Sequence, residues 1–142
     1  MAANLLIRNI IWAIIIFVLC SMPGDSLPQT SMVQIPHFDK MVHFGLFFVM
    51  GILLISELRY QTKLGTYHIA TVVFVVVAVY GGTIEILQEH FFINRSGDFW
   101  DLCADVTGGL CSVAMYPVLK KQKDLLLNRK PFCNYSFLKK IL

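Results

Sequence analysis

The chain has 142 residues, of which 56% are hydrophobic and 15% are charged, with a mean hydropathy of +0.65 and a formal net charge of +3. Soluble domains usually carry about 25% charged residues, so this composition excludes an ordinary soluble protein and predicts an integral membrane protein. Nucleic acid is excluded as a partner, because most of the basic residues form one cluster next to the last apolar stretch.

Four apolar stretches are long enough to cross a membrane, at residues 2–22, 41–58, 66–87 and 99–119. A crossing helix needs about 20 residues, and a backbone in lipid must satisfy its own hydrogen bonds, so each stretch should be helical. The third contains the β-branched run TVVFVVVAVY, but its length and lack of turn residues favour a helix. The sequence predicts an all-α, four-transmembrane-helix bundle, with a membrane domain over 1–119 and a basic tail over 120–142.

The first stretch has some features of a signal peptide, since Arg8 precedes an apolar run. No small-x-small cleavage motif follows it, so we expect an uncleaved helix. Lys and Arg are missing from Asn9 to Asp39, occur at Arg59 and Lys63, and are dense after residue 119. The positive-inside rule therefore places both termini in the cytoplasm. The tail either anchors this orientation or docks on anionic lipid.

Most of the other ionisable residues fall at helix ends that this topology places on the outer side of a bacterial cytoplasmic membrane. They begin the second helix, end the third, and lead into the fourth, and within each helix they recur every three or four residues, hence on one face. The sequence predicts a shared polar site at the outer leaflet. Its members are Asp39, Lys40, His43, Glu85, Gln88, Arg95, Asp98, Asp101 and Asp105.

Acids outnumber permanent bases in this set. Asp105 lies about 9 Å along the helix axis from Phe99, where a lone carboxylate costs about 2.5 to 3.5 kcal/mol. Protonation, a cation or a cationic ligand must neutralise the excess. Since hard cations favour carboxylates, a divalent cation is one option, with Glu85, Asp101, Asp105 and His43 as ligand candidates.

Residues on the same helix faces suggest two further roles, helix capping and close helix packing. Asp39 and Asp98 each precede an apolar helix and suit N-capping. Gly81, Gly108 and Gly109 lie on the polar faces and would let helices approach closely.

Several motifs together resemble the VanZ-like family. DKMVHF at 39–44, EILQ at 85–88 and RSGDFWD at 95–101, followed by Asp105 and Gly108, are similar to that family's D-K-x-x-H-F, E-x-x-Q and R-x-x-D-x-x-D-x-x-x-N/D-x-x-G. Asp105 stands where the family often has Asn. The resemblance implies a small multi-spanning bacterial membrane protein. The family's namesake confers low-level resistance to teicoplanin, a glycopeptide with a fatty tail.

Three functions remain open from the residues and the resemblance. The first is an envelope factor that binds a lipid headgroup, a lipid-linked precursor or an amphiphilic antibiotic. The second is a membrane-embedded hydrolase or transferase acting on a lipid phosphate, with His43 as base and Asp39 as its orienter. The third is a cation- or proton-coupled carrier. The ligand, the catalytic residues and the oligomeric state are not determined by the sequence.

Overall fold

The computed structural model describes residues 2–23, 37–92 and 95–128. They form four helices in chain order: α1 (Ala2–Ser21), α2 (Phe38–Gln61), α3 (Thr66–His90) and α4 (Phe99–Asn128). For the described residues, the prediction of an all-α fold with four helices is confirmed. Three of these helices, over Phe38–Gln61, Thr66–His90 and Phe99–Gln122, are long and apolar enough to cross a membrane.

α2, α3 and α4 extend beyond the apolar stretches from which they were predicted, whereas α1 ends within its predicted range of 2–22. α2 begins three residues before the predicted start at 41, so Asp39 and Lys40 lie in its first turn. α4 contains Pro117 without ending there, passes its predicted end at 119 and continues to Asn128. The first part of the predicted tail is therefore helical. The rest of that tail, from residue 129, lies outside the described residues. Hydropathy identifies only the apolar part of a helix. The backbone hydrogen bonding of the helix continues into the polar turns at its ends, so these three helices are longer than the apolar stretches.

Consecutive helices run antiparallel, and α2 packs most extensively against α4. A buried apolar core lies between the helices. It contains Ile16, Cys20, Phe47, Met50, Ile55, Ile69, Val73, Val77 and Ile84. α1 contacts this core along α2 and α3, and its Trp12 donates a 3.0 Å hydrogen bond to the backbone oxygen of Leu46.

Glycines allow the closest helix contacts. A Cβ atom added at Gly108 would collide with the carbonyl oxygen of Phe44, so α4 touches the backbone of α2 there. A Cβ at Gly109 would lie 2.8 Å from a methyl group of Val77 on α3. The two neighbouring glycines therefore let α4 approach both α2 and α3 at one level of the bundle.

Candidate functional site

The candidate site lies at the polar end of the bundle, which we define as the end where α2 and α4 begin and α3 ends. Lys40 in the first turn of α2 bridges two carboxylates of the α4 start. Its Nζ lies 2.5 Å from Oδ2 of Asp98 and 3.0 Å from Oδ1 of Asp101. The Asp101 side chain is only 5% exposed, whereas that of Asp98 is 39% exposed. Lys40 thus joins the two helices and neutralises the more buried acid.

One turn deeper, three ionisable residues from three helices meet. Nδ1 of His43 on α2 lies 3.0 Å from Oδ1 of Asp105 on α4 and 3.9 Å from Oε1 of Glu85 on α3. All three residues are buried. Oε1 of Glu85 and Oδ2 of Asp105 accept no hydrogen bond from the described part of the chain. We call these three residues the inner triad.

A second group of polar atoms shares His43 with the inner triad. One ligand atom from each of Asp39, His43 and Asp101 lies within 4.8 Å of the other two. Asp39 is more than half exposed, and its Oδ1 lies 3.9 Å from Nη1 of Arg95. This outer group therefore opens to the surface, whereas the inner triad is enclosed.

The loop before α4 closes over the end of α3. The backbone N–H of Asp98 donates to Oε2 of Glu85 at 2.7 Å, and that of Gly97 donates to Oε2 of Glu89 at 2.9 Å. A Cβ on Gly97 would lie 2.7 Å from the carbonyl oxygen of Glu85. Gly97 is needed for this close approach, which directs one oxygen of Glu85 to the loop and leaves the other facing His43.

Two residues predicted for the polar site are bonded to the end of α1 or to the residue that follows it. Gln88 donates through Nε2 to the backbone oxygen of Cys20 at 3.2 Å, and Arg95 donates through Nε to that of Met22 at 3.1 Å. Gln88 therefore serves to attach α1, whereas Arg95 both attaches α1 and faces Asp39.

The structure distinguishes the two predicted helix caps. Asp98 accepts a 2.8 Å hydrogen bond from the backbone N–H of Trp100 and so caps α4 as predicted. Asp39 does not cap α2, because that helix begins at Phe38 and its N-cap residue is His37, which has a left-handed backbone with φ 63°. His43 likewise pairs with Asp105 in the inner triad, whereas Asp39 was expected to orient it.

Gly81 shapes the inner triad from α3. A Cβ atom added there would lie 2.6 Å from Oδ2 of Asp105. Sequence reasoning missed a similar position, Gly51 on α2, where a Cβ would collide with the buried Ser112 of α4. The spacing of Gly51 from His43 could have indicated this contact. The two residues are about two helical turns apart and therefore lie near the same face of α2.

An apolar groove of about 650 Å³ runs between α2 and α4 beside the ionic groups. Lys40 lies at the groove and also holds Asp98 and Asp101. The groove is thus continuous with the polar end. Its remaining lining consists of His37, Met41, Phe44, Trp100, Cys103, Ala104 and Thr107.

The family model for VanZ/LLP1 matches residues 4–120 of the chain. The chain belongs to this family. The resemblance to VanZ-like proteins is therefore confirmed, and the match includes α2 and α3 completely, α1 from residue 4 and α4 up to residue 120. No curated protein and no solved structure matches the chain significantly.

In this VanZ/LLP1 chain, stability should depend on pH in the acid range through Asp98. The hydrogen bond from Lys40, and then that from the Trp100 N–H, lower the pKa of Asp98 below its usual 3.8. Because the pKa is lower in the folded state, this pairing stabilises the fold above about pH 4, and the benefit is lost as the pH falls through the folded-state pKa. Asp98→Asn keeps an oxygen for the cap but loses the charge.

We therefore expect Asp98→Asn to show a shallower decrease in Tm than the wild type between about pH 4 and pH 2. The measurement is thermal unfolding in detergent micelles at several pH values. Asp124→Asn on the exposed far part of α4 is the control and should follow the wild type. Equal slopes for wild type and Asp98→Asn would contradict the prediction.

Proposed function

We propose that this VanZ/LLP1 protein crosses the bacterial cytoplasmic membrane four times and binds an amphiphile that carries an amine. The amine would lie at the outer group, at the outer leaflet, and the hydrocarbon chain would lie in the groove between α2 and α4. One observation carries the proposal: Lys40 connects the groove to the acidic outer group.

The exposed surface of α1 supports a fourth crossing. Its residues Leu6, Ile7, Ile10, Ile11, Ile14 and Val18 each leave about half of their side chain uncovered. Such a contiguous apolar surface is rare on soluble monomers and suits contact with lipid. With α1 across the membrane, the Lys and Arg distribution would place both termini in the cytoplasm and the polar end outside.

Charge complementarity supports an amine as the headgroup. Asp39, Asp98 and Asp101 contribute three negative charges to the outer group and its rim, against the two positive charges of Lys40 and Arg95. One further positive charge balances this set. An ammonium has three N–H donors, and the atoms of Asp39 and Asp101 lie close enough together to accept two of them.

The groove supports a hydrocarbon chain as the other half of the ligand. Its volume of about 650 Å³ falls in the range of small-molecule sites, about 300 to 1,000 Å³. Met41, Phe44 and Trp100 give it an apolar lining. An aminophospholipid, a lipid-linked precursor and a teicoplanin-type glycopeptide all combine an amine with a chain, and only binding of the glycopeptide would contribute to antibiotic resistance.

The test is a binding titration of the detergent-purified chain with dodecylamine and with dodecanol, which differ only in the headgroup. We expect dodecylamine to bind at least tenfold more tightly. Asp39→Asn should remove most of this difference, and Ala104→Trp should weaken both ligands by filling the groove. Asp124→Asn and Ala114→Trp, on exposed parts of α4 away from the groove, are the matched controls.

Equal affinity for the amine and the alcohol would overturn the assignment of the headgroup. An Ala104→Trp variant that binds like Ala114→Trp would overturn the assignment of the groove. Competition by phosphatidylethanolamine, by an amine-bearing lipid-linked precursor, and by teicoplanin with and without its fatty tail then identifies the source of the ligand.

A second candidate function is hydrolysis or group transfer at a lipid phosphate. It is favoured by the 3.0 Å contact of His43 with Asp105, which would orient the imidazole as a general base. Mass analysis of phosphatidylethanolamine and the lipid-linked precursor, recovered from the competition experiments, tests it. A product that forms with wild type and disappears with His43→Gln would put this function first, whereas unchanged lipids would exclude it for the lipids used.

A further inference from the structure

We propose that the inner triad of His43, Glu85 and Asp105 binds a divalent transition-metal ion. This site is distinct from the proposed amine site, which uses the carboxylates of Asp39, which is exposed, and Asp101, which pairs with Lys40. Each ligand would come from a different helix, namely α2, α3 and α4. A bound ion would therefore link three helices at the polar end of the bundle.

The geometry of the inner triad is close to that of a metal site. Ligands about 2.0 to 2.2 Å from a tetrahedral ion lie roughly 3.3 Å from one another. The distances of 3.0 and 3.9 Å from His43 Nδ1 to Asp105 and Glu85 fall on either side of that value. One ligand atom from each residue lies within 4.8 Å of the other two, so shifts of side chains alone would complete the site.

The unpartnered oxygen of Glu85 is an independent reason to expect a ligand. Its side chain is nine-tenths buried, and Oε1 faces His43 without a hydrogen bond from any described residue. A buried polar atom without a partner costs roughly 1 to 3 kcal/mol, and more if it is charged. The Asp105 side chain is fully buried, and its Oδ2 likewise accepts no hydrogen bond from a described residue.

The acids of the outer group and its rim each face a permanent cation. Lys40 contacts Asp98 and Asp101, and Arg95 lies near Asp39. No lysine or arginine of the described residues pairs with Glu85 or Asp105, and the two negative charges of these acids match one divalent ion. This difference assigns the ion to the inner triad, although Asp39, His43 and Asp101 also lie close together.

The donor set indicates which ions fit. One imidazole nitrogen with two carboxylates suits Zn²⁺ or Mn²⁺, whereas Ca²⁺ and Mg²⁺ favour oxygen ligands alone. The Asp98 N–H holds the remaining oxygen of Glu85 at 2.7 Å. Such outer hydrogen bonds orient the ligands of metal sites and strengthen binding.

The experiment is a titration of chelator-treated, detergent-purified protein with Zn²⁺, followed by Co²⁺ absorption spectroscopy, with no amphiphile present. We expect one equivalent of Zn²⁺ per chain and visible Co²⁺ bands that Zn²⁺ abolishes. Glu85→Gln and Asp105→Asn should each weaken Zn²⁺ at least tenfold. The controls Glu89→Gln and Asp39→Asn change acids of the same end outside the triad and should stay within twofold of the wild type.

Folded wild-type protein that takes up no stoichiometric Zn²⁺ and gives no Co²⁺ bands would overturn the proposal and leave Glu85 and Asp105 neutralised by protons. This result needs no variant, so it holds even if Glu85→Gln fails to fold. Loss of Zn²⁺ in Asp39→Asn but not in Glu85→Gln would also overturn it, by moving the ion to the outer group. Asp39→Asn should affect only amine binding, so the failure of one proposal is distinguishable from that of the other.

Discussion

Gly108→Ala should lower the free energy of unfolding by about 2 to 3 kcal/mol, the upper range for overpacking in a core. The added methyl group would collide with the carbonyl oxygen of Phe44, and its other neighbours, the Phe44 carbonyl carbon and the Phe48 nitrogen, lie at 3.1 Å. All three are backbone atoms, which cannot rotate aside as a side chain would. α2 and α4 would have to move apart at the level of the inner triad.

The matched control is Gly45→Ala, which changes a glycine in the same helix pair where an added Cβ meets nothing within 4 Å. We expect that variant to be as stable as the wild type or more stable by about 0.5 to 1 kcal/mol, since alanine favours a helix. Reversible unfolding in mixed detergent micelles gives both values. A Gly108→Ala variant as stable as Gly45→Ala would show that α2 and α4 are not in backbone contact.

Lys40→Met should have the second large effect, a loss of about 2 kcal/mol or more, because it leaves the charge of Asp101 buried without its partner. Methionine keeps most of the length and apolar volume of lysine, so packing changes little. The Asp101 side chain is 5% exposed and its Oδ1 lies 3.0 Å from the Lys40 ammonium. Desolvation of this carboxylate without a cation is the physical cause of the loss.

Lys63→Met, in the exposed loop between α2 and α3, is the control for removing a positive charge and should stay within about 0.5 kcal/mol of the wild type. The double variant Lys40→Met/Asp101→Leu should recover part of the lost stability, because an apolar pair can replace a buried ion pair. If Lys40→Met matches Lys63→Met in the same unfolding measurement, Lys40 does not stabilise Asp101.

Much of the helical architecture could be predicted because a membrane helix needs about 20 apolar residues and leaves few alternatives. The exact ends of the helices could not be predicted, since hydropathy does not show where backbone hydrogen bonding stops. The N-cap of α2 is His37, which has a left-handed backbone, and no simple sequence rule places that conformation at a histidine. α4 continues through Pro117, where proline would usually favour a break.

The residues of the polar end could be predicted from the sequence, because helical periodicity places them on one face of each helix and the up-and-down order of the helices brings them to the same end. The sequence could not predict which of these residues pair with each other. Asp39 is within reach of His43 by helical spacing, but the close packing of α2 on Gly108 brings Asp105 of α4 to the imidazole. Sequence motifs contain no information on backbone groups, so the bonds from Gln88 to the Cys20 carbonyl and from Arg95 to the Met22 carbonyl could not be predicted.

The pairing of α2 with α4 has a consequence for how the chain assembles. Among the described residues, each hydrogen bond between ionisable side chains at the polar end joins α2 to α4 or to its cap: Lys40 to Asp98 and Asp101, and His43 to Asp105. In the proposed topology of four crossings, a nascent chain that has inserted only its first three helices would hold Lys40 and His43 without these partners. Entry of α4 with its cap would supply three aspartates to complementary groups already in the membrane. The carboxylates, an obstacle to insertion for the isolated segment, would therefore become a driving force for completing the bundle.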